Sequence, residues 1–151
     1  MTRDGPEIPV FSHEGKTYVE GTAVVADTRA LLFVGSSGSG KSGLALSLIA
    51  LGAKLVGDDR VDIEVSGKQA TLSPPAMIKG KIEARSVGIL SAETSSGKLC
   101  AVVDLDSIEE DRLPPRRICT IAGVDVPLIH KVESGYFSAA LWQYLKHGRT
   151  A

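Results

Sequence analysis

One glycine-rich segment constrains the fold of this chain more than any other feature. It matches the pattern G-x-x-x-x-G-K-[ST] at every fixed position. In this pattern the glycines let main-chain N–H groups curl around a phosphate, the lysine reaches the β- and γ-phosphates, and the final hydroxyl can ligate Mg²⁺. We therefore predict nucleotide binding by the eight residues Gly35, Ser36, Ser37, Gly38, Ser39, Gly40, Lys41 and Ser42.

The flanks of the segment supply the context that the pattern needs. Residues 31–34 form a short apolar run that predicts a buried strand. After the loop, Leu44, Leu48 and Leu51 recur at the spacing of one helix face, and Gly52 is a helix stop. A flexible Gly/Ser linker is the alternative, but such linkers lack apolar flanks on both sides. The sequence thus predicts a strand, a phosphate-binding loop and a helix.

Composition narrows the class of protein. A chain of 151 residues suits a single domain spanning 1–151, with the polar, turn-rich residues 1–15 loosely held. The net charge of −1 gives no basic excess for nucleic acid, and no apolar run approaches the roughly 18 residues of a membrane span. Cys100 and Cys119 lie in apolar segments, which predicts buried free thiols and a reducing cytoplasm.

The remaining pattern predicts more strands than helices. A second helix is predicted over residues 136–147, and a charged loop over 107–117. Because the predicted strands outnumber the helices, the pattern favours an α/β domain with a substantial antiparallel component rather than repeated βαβ units. The predicted strands cover residues 16–19, 21–25, 31–34, 54–56, 61–65, 69–72, 100–105, 119–121 and 124–129.

A pair of carboxylates is the second feature with chemical meaning. Asp58 and Asp59 follow Lys41 by 17 and 18 residues, directly after a short predicted strand. If that strand runs parallel to the one before the loop, both acids lie at the sheet edge where α/β folds bind ligands. One acid would hold a metal or its waters, and the other could accept a proton from an attacking hydroxyl. An exposed acidic turn is the alternative.

These features together resemble the HPr kinase/phosphorylase family. The loop 35–42 and the segment 55–61, Leu-Val-Gly-Asp-Asp-Arg-Val, carry the resemblance first. Glu83 and Arg85 fall where the family has a Glu-x-Arg-Gly-x-Gly-Ile segment, and Arg112 falls in a match to its Asp-Arg-Leu. The resemblance implies a P-loop domain related to phosphoenolpyruvate carboxykinase, with a mixed sheet and few helices, in a short form without the family's N-terminal domain.

The resemblance also implies an activity. It would be a Mg-ATP-dependent kinase for a serine of HPr, the phosphocarrier protein of the sugar phosphotransferase system, with a phosphorylase activity that uses inorganic phosphate. The family usually forms hexamers, so a homo-oligomer is expected, with no nucleic-acid or membrane partner. Carried over by position, Lys41 contacts the phosphates, Ser42 and Glu83 ligate Mg²⁺, Asp59 is the base, and Arg112 assists at the transferring phosphoryl group. On physical grounds Arg85 could also stabilise charge there.

The sequence departs from the family at three places. Glu20 stands where the family has a histidine, Ser86 where it has a glycine, and residues 126–131 lack its Gly-Arg pair. A carboxylate near phosphate repels where an imidazolium would attract. We therefore predict the kinase direction and leave the phosphorylase direction open.

Alternative interpretations accompany these predictions. The chain could be a nucleotide-binding regulatory module that has lost catalysis, or a small-molecule kinase, which would need a closed pocket beside the γ-phosphate. Glu83 and Arg85 could be a same-face pair on a strand, and Arg112 could form a surface ion pair with the acids around it. Tyr136 and Trp142 are candidate partner contacts, although ordinary packing is the simpler interpretation.

Overall fold

The computed structural model describes residues 5–151; residues 1–4, the start of the segment predicted to be loosely held, lie outside the described residues. Two α-helices, thirteen strands and a short 3-10 helix at Ala76–Ile78 are formed within this range. The helices are α1 (Lys41–Leu51) and α2 (Phe137–His147). The strands are β1 (Glu7–Ile8), β2 (Phe11–His13), β3 (Lys16–Glu20), β4 (Thr22–Ala26), β5 (Arg29–Val34), β6 (Lys54–Gly57), β7 (Arg60–Ser66), β8 (Gln69–Ser73), β9 (Lys81–Ala84), β10 (Gly88–Ser91), β11 (Gly97–Ile108), β12 (Arg117–Ile121) and β13 (Val124–Lys131).

A long central strand, β11, organises the main sheet. It pairs in parallel with β5 and β13, and its first residues pair antiparallel with β8. Beyond β5 the sheet continues through β4 to β6, and β4 is antiparallel to both neighbours. Strands β5 and β6 therefore run in the same direction although they are not adjacent. The antiparallel series β8-β7-β3-β2 and the edge β13-β12-β1 complete the sheet, while β9 and β10 form a separate hairpin.

Alternating side chains on the central strands divide the core into two clusters. On β5, Leu31 and Phe33 belong to the cluster that packs against the two helices, whereas Leu32 belongs to the cluster on the opposite face. This period-2 pattern is what a strand buried on both faces requires. The helix-side cluster also contains Val24, Ala45, Leu48, Val103, Leu141 and Leu145, and the opposite cluster contains Val25, Val61, Ile63, Leu72, Val102, Ile121 and Val126.

Several boundaries differ from the sequence prediction for physical reasons. Strand β11 extends past both ends of the predicted 100–105 because its start pairs with β5 and β8 and because Ile108 at its end pairs with Lys131 of β13. Residues 7–8 form β1, with Ile8 buried and opposite Ile121, so this part of the N-terminal segment is paired rather than loosely held. Leu51 is 48% exposed, so the buried stripe of α1 ends a turn earlier than the leucine spacing indicated.

The predicted fold class is confirmed: the structure is a mixed sheet with few helices. The two cysteines are free, as predicted, but only Cys119 is buried and Cys100 is half-buried. Within residues 5–151, neither helix combines the length and apolar character needed to cross a bilayer.

Candidate active site

The loop 35–40 connects the end of β5 to the start of α1 and is open on its outer side. Gly38 and Gly40 adopt φ values of 84° and 104°, which disfavour residues with a side chain, and a Cβ added at either would meet nothing within 4 Å. Gly40 is the N-cap of α1, and no acidic side chain occupies the first helical turn. The first main-chain N–H groups of α1 therefore remain available at the positive end of the helix, which suits an anion.

Lys41 is folded back along the same loop. Its ammonium group donates hydrogen bonds to the carbonyl oxygens of Gly35 at 2.8 Å and Ser36 at 3.0 Å. A cation held by these two weak acceptors can exchange them for phosphate oxygens, which form stronger charge-assisted bonds. The position of Lys41 is thus compatible with its predicted role.

Asp58 lies directly against the end of the loop. One oxygen of its carboxylate accepts hydrogen bonds from the hydroxyls of Ser42 and Thr22, each at 2.8 Å. The other oxygen accepts the main-chain N–H of Glu83 at 3.1 Å. Because β6 runs in the direction of β5, the chain after β6 emerges at the same sheet edge as the loop. This contact between Ser42 and Asp58 joins the two motifs that were separate in the sequence.

Asp59 has a different environment from its neighbour. It is exposed, adopts a φ of 68°, and its carbonyl oxygen accepts the N–H of Gly21 at 3.0 Å. Aspartate tolerates this left-handed conformation better than most residues. Its carboxylate makes no hydrogen bond to another described residue. Of the two adjacent acids, Asp58 is therefore fixed by three hydrogen-bond donors, whereas Asp59 faces solvent.

Glu83 and Arg85 lie on the hairpin formed by β9 and β10. Glu83 is exposed on β9, with its main chain bonded to Asp58, so the hairpin lies against the acidic pair. Arg85 is exposed in the turn that follows β9. The alternative of a same-face pair on one strand is therefore wrong, because the strand ends at Ala84.

Within residues 5–151 no hydrogen bond or ion pair joins Arg112 to the other predicted site residues. Arg112 is exposed on the segment between β11 and β12, and it lines a cavity of about 630 Å³ with His130 and Tyr136. Asp106 and Glu109, which are close to Arg112 in the sequence, accept hydrogen bonds from Ser36 and Arg117 instead. Neither the predicted role of Arg112 nor the alternative of an ion pair is visible among the hydrogen bonds and salt bridges of the described residues.

An ion pair outside the candidate site joins the two ends of the segment between β11 and β12. The guanidinium of Arg117 donates to both carboxylate oxygens of Glu109, at 3.0 and 2.9 Å. This bidentate contact holds the pKa of the Glu109 carboxyl below its ordinary value, and burial of the side chain opposes the shift only in part.

Glu20 occupies the end of β3 beside the acidic pair. It lies opposite Arg60 in the register between β3 and β7, and the next residue, Gly21, donates its N–H to Asp59. Arg60 is engaged elsewhere: its guanidinium stacks over the ring of Tyr18 at 3.9 Å from the centroid. The position in which the family has a histidine thus carries an exposed carboxylate near Asp59.

Sequence reasoning missed two residues that contact this site. Asp106 accepts both the N–H and the hydroxyl of Ser36, each at 2.8 Å. The available signal was its position just after a predicted apolar strand. In the structure that strand is part of β11, which lies beside β5, and Asp104 is opposite Val34, the last residue of β5 before the loop. Thr22 is fully buried and donates to Asp58, and no signal in its sequence context distinguishes it.

The residues gathered here fit a magnesium–nucleotide complex. Mg²⁺ prefers oxygen ligands and is commonly held by one or two carboxylates together with substrate phosphates. Ser42 and Asp58 present a hydroxyl and a carboxylate side by side, and Glu83 adds a second, exposed carboxylate on the hairpin whose main chain bonds to Asp58. No group of three or more His, Cys, Asp or Glu side chains within residues 5–151 forms a metal site by itself. Any ion bound here would share its coordination with phosphates and water.

The strand, glycine-rich loop and helix, set in a mixed sheet with a carboxylate bonded to the last serine of the loop, define a P-loop α/β domain. A sequence profile described as the HPr Serine kinase C-terminal domain matches residues 13–109. The chain belongs to this family.

Individual relatives agree with this assignment. The HPr kinase/phosphorylase of Enterococcus faecalis is 34% identical over 128 residues, which cover 76% of this chain and 41% of the relative. That of Clostridium tetani is 39% identical over 94 residues, covering 62% of this chain and 30% of the relative. The chain therefore spans less than half the length of these curated relatives. The solved HPr(Ser) kinase/phosphatase of Coxiella burnetii has the same fold, with a TM-score of 0.70 at 22% identity over 85% of this chain and 93% of that one.

Proposed function

We propose that this chain is the catalytic domain of a Mg-ATP-dependent kinase that phosphorylates a serine of HPr. One observation carries the proposal: the 2.8 Å hydrogen bond between Ser42 and Asp58, which unites the phosphate loop with the acidic pair. Membership of the HPr kinase family supports the choice of HPr as the substrate, since the two relatives described above are named HPr kinase/phosphorylase.

In this proposal the loop residues position the donor phosphates. The free N–H groups at the start of α1 and the Lys41 ammonium bind the phosphate oxygens. Ser42, Asp58 and Glu83 would hold Mg²⁺, which, when bound, neutralises charge on the phosphates. Asp58 suits this task because Ser42, Thr22 and Glu83 already fix its orientation.

Asp59 is proposed as the proton acceptor. As the serine oxygen forms its bond to the γ-phosphorus, the bond from that phosphorus to the bridging oxygen of ADP breaks, and the hydroxyl proton passes to Asp59. An exposed carboxylate beside a fixed one can receive a proton without loss of the metal ligand. Arg85 would stabilise charge on the transferring group, because its turn begins two residues after Glu83.

The openness of the site favours a protein substrate over a small molecule. The outer loop residues, Asp59 and Glu83 are all exposed, whereas a small-molecule kinase would enclose its acceptor. Assembly into a homo-oligomer, a hexamer in the resemblance, stays a prediction. The exposed Glu20 beside Asp59 opposes the binding of inorganic phosphate, so the kinase direction is proposed ahead of the phosphorylase direction.

One observation favours the second candidate, a nucleotide-binding module with reduced or lost catalysis. Within residues 5–151 Arg112 forms no hydrogen bond or ion pair with the loop or with the acidic pair, so nothing yet holds it at the place where its predicted assistance would be needed. In that case the chain would bind Mg-ATP but transfer little phosphate.

Incubation of the protein with γ-labelled ATP, Mg²⁺ and purified HPr tests the proposal. We expect label on a serine of HPr, almost none with Asp59→Asn despite retained nucleotide binding, and lost nucleotide binding with Lys41→Ala. Nucleotide binding without label on HPr at any Mg²⁺ concentration would reject the kinase and support the regulatory module.

A further inference from the structure

A cavity adjoins the phosphate loop on the side away from the acidic pair, and we call it the flank cavity. It has a volume of about 390 Å³ and lies between the first two turns of α1 and the segment 131–138, which leads from the end of β13 into α2. Ser39 and Gly40 of the loop form part of its wall. Its volume falls within the range of roughly 300–1,000 Å³ that is typical of sites for small molecules.

The strand order explains why the flank cavity and the acidic pair lie on opposite sides of the loop. Across the sheet, β6 is the second strand from β5 in one direction, beyond β4, and β13 is the second strand in the other direction, beyond β11. Strands β5, β6 and β13 run the same way, so the segments that follow them meet at one edge of the sheet. Asp58 follows β6 and the segment 132–135 follows β13, which places the loop between them.

Helix α1 presents different faces to these two sides. Ser42, which bonds to Asp58, lies on one face. Gly43 and Ser47 line the flank cavity and share another face, because they are four residues apart. At 3.6 residues per turn, Ser42 and Ser47 point in directions that differ by about 140°. A ligand that contacts both must therefore cross the start of α1, where the main-chain N–H groups are available to phosphates.

The walls of the flank cavity combine apolar side chains with hydroxyl groups. Leu44, Val132 and Phe137 supply the apolar part. Ser47 and Ser138 supply hydroxyls from the two helices. A nucleoside has the same composition, since its base has apolar faces and its ribose carries hydroxyls. The walls therefore suit a nucleoside better than a purely apolar or a purely charged ligand.

The charged side chains that line the flank cavity are Lys131, which is half-buried, and Glu133, which is exposed. Neither forms a side-chain hydrogen bond or ion pair within residues 5–151. Their charges cancel, whereas Asp58, Asp59 and Glu83 make the other side of the loop acidic. A second anion would gain little from this balance. The two oxygens of Glu133 can instead accept hydrogen bonds from the neighbouring hydroxyls of a ribose, a use of acidic residues known from dinucleotide sites.

We propose that the flank cavity is the nucleoside subsite of the phosphate donor, with Glu133 accepting hydrogen bonds from the ribose hydroxyls. This inference rests on the proposed function, because it assigns the part of the same donor that the glycine-rich loop does not bind. The triphosphate crosses the start of α1, and the base packs against Leu44 and Val132. The protein thereby distinguishes a ribonucleoside triphosphate from inorganic tripolyphosphate, which has no group to place in the cavity.

Substitution of Ser47 tests the subsite. Ser47 is exposed, lies outside the glycine-rich motif, and bonds through its hydroxyl to the carbonyl oxygen of Gly43. Ser47→Phe adds a ring to the wall of the cavity, and the matched control Ser47→Ala removes the same hydroxyl without adding bulk. Calorimetric titration in Mg²⁺ measures the Kd of ATP and of tripolyphosphate. We expect Ser47→Phe to raise the Kd of ATP roughly tenfold or more and to change that of tripolyphosphate by less than about twofold, with both unchanged in Ser47→Ala.

Glu133→Ala is the second variant, at an exposed position on the segment between β13 and α2, where a fold defect is not expected. Its ligands are ATP and dideoxy-ATP, which lacks both ribose hydroxyls. The wild-type protein should bind ATP roughly fivefold or more tightly than dideoxy-ATP, and Glu133→Ala should remove this preference by weakening ATP alone. Glu133→Gln, which keeps one acceptor oxygen, should retain part of the preference.

The outcomes separate this inference from the proposed function. If Ser47→Phe weakens ATP alone but the wild-type protein puts no label on HPr, the kinase proposal fails and the subsite stands. If HPr is labelled and Ser47→Phe leaves the Kd of ATP unchanged, or raises it no more than that of tripolyphosphate, the subsite is overturned and the kinase stands. A ribose preference that survives in Glu133→Ala also overturns the inference. No binding of ATP to the wild-type protein overturns both.

Discussion

Ser36 donates both of its polar hydrogens to one carboxylate, that of Asp106, with its N–H and its hydroxyl each 2.8 Å from an oxygen of that side chain. The two residues are 70 positions apart in the chain, so this contact ties the start of the phosphate loop to the adjacent strand β11. A loop fixed at this end is preorganised for its ligand and loses less conformational freedom on binding.

The first prediction concerns this contact. Asp106→Ala should weaken nucleotide binding by about 1 kcal/mol, or roughly fivefold to tenfold in Kd, because the free loop must then be ordered by the ligand. Asp106→Asn should give an intermediate value, since its single carbonyl oxygen can replace only part of the pair of acceptors. Titration with a fluorescent ATP analogue measures the Kd. Tighter binding by either variant would show that the negative charge of Asp106 repels phosphate more than its hydrogen bonds help.

The second prediction separates the two adjacent acids by stability. Asp58→Asn places an amide NH₂ against donors that now face a carboxylate, and Thr22 is fully buried there. We expect a loss of about 1–2 kcal/mol in the free energy of unfolding. Asp59→Asn should change it by less than about 0.5 kcal/mol, since Asn also tolerates a left-handed backbone. Urea unfolding of both variants makes the comparison, and equal losses would contradict the division between a fixed and a free carboxylate.

The loop and its acidic pair could be predicted because their information is local. Residues 35–42 carry the motif itself, and a strand that returns after α1 parallel to β5 was enough to expect Asp58 and Asp59 at the same sheet edge as the loop. The order of strands was not accessible in the same way. The strand after α1, β6, does not pair with the strand before the loop, β5, because β4 lies between them. This order depends on antiparallel pairing of β4 with both neighbours, which no local pattern encodes.

Asp106 was missed for a related reason. Its surroundings are acidic and polar, so residues 107–117 read as a loop and Asp106 as part of its charged flank. In the structure, β11 continues to Ile108, which pairs with Lys131 of β13, and Asp106 lies within this extension where it bonds to Ser36. Arg112 is a different case: a short motif predicted its role, which stays a prediction, since no hydrogen bond or ion pair within residues 5–151 joins Arg112 to the loop.

Ser86 provides a third prediction, at a position where the family has glycine. Its φ of 68° is in the left-handed region, which costs about 1 kcal/mol for a residue with a Cβ. Ser86→Gly should therefore raise the free energy of unfolding by a few tenths to about 1 kcal/mol, the gain being reduced by the greater freedom of unfolded glycine. Ser91→Gly on the same hairpin is the control and should lower stability. Denaturant unfolding decides, and a loss at Ser86 equal to that at Ser91 would contradict the argument.

The fourth prediction concerns the two thiols. Burial raises the pKa of the Cys119 thiol to about 11, whereas Cys100 is half-buried. Near pH 8 only about one Cys119 side chain in a thousand would be ionised, and reagents could not reach it. The native protein should therefore react with one equivalent of a thiol reagent, and the second equivalent should appear only on unfolding. Cys100→Ser should abolish the native reaction; two rapid equivalents in the wild type would contradict the burial of Cys119.

The fifth prediction follows from the bidentate contact between Glu109 and Arg117. Arg117 lowers the pKa of the Glu109 carboxyl in the folded state, so folding is favoured by the ionised form. The stabilisation is therefore complete above the ordinary glutamate value of 4.5 and is lost as the pH falls through the lower folded pKa. Arg117→Gln should destabilise the protein at neutral pH, and the difference from wild type should shrink in acid. Arg116→Gln, which removes a neighbouring charge without this contact, should show little difference at either pH. Urea unfolding across this range gives the measurement, and a difference that is the same at neutral and acid pH would mean that Arg117 acts through packing rather than through the ionised carboxylate.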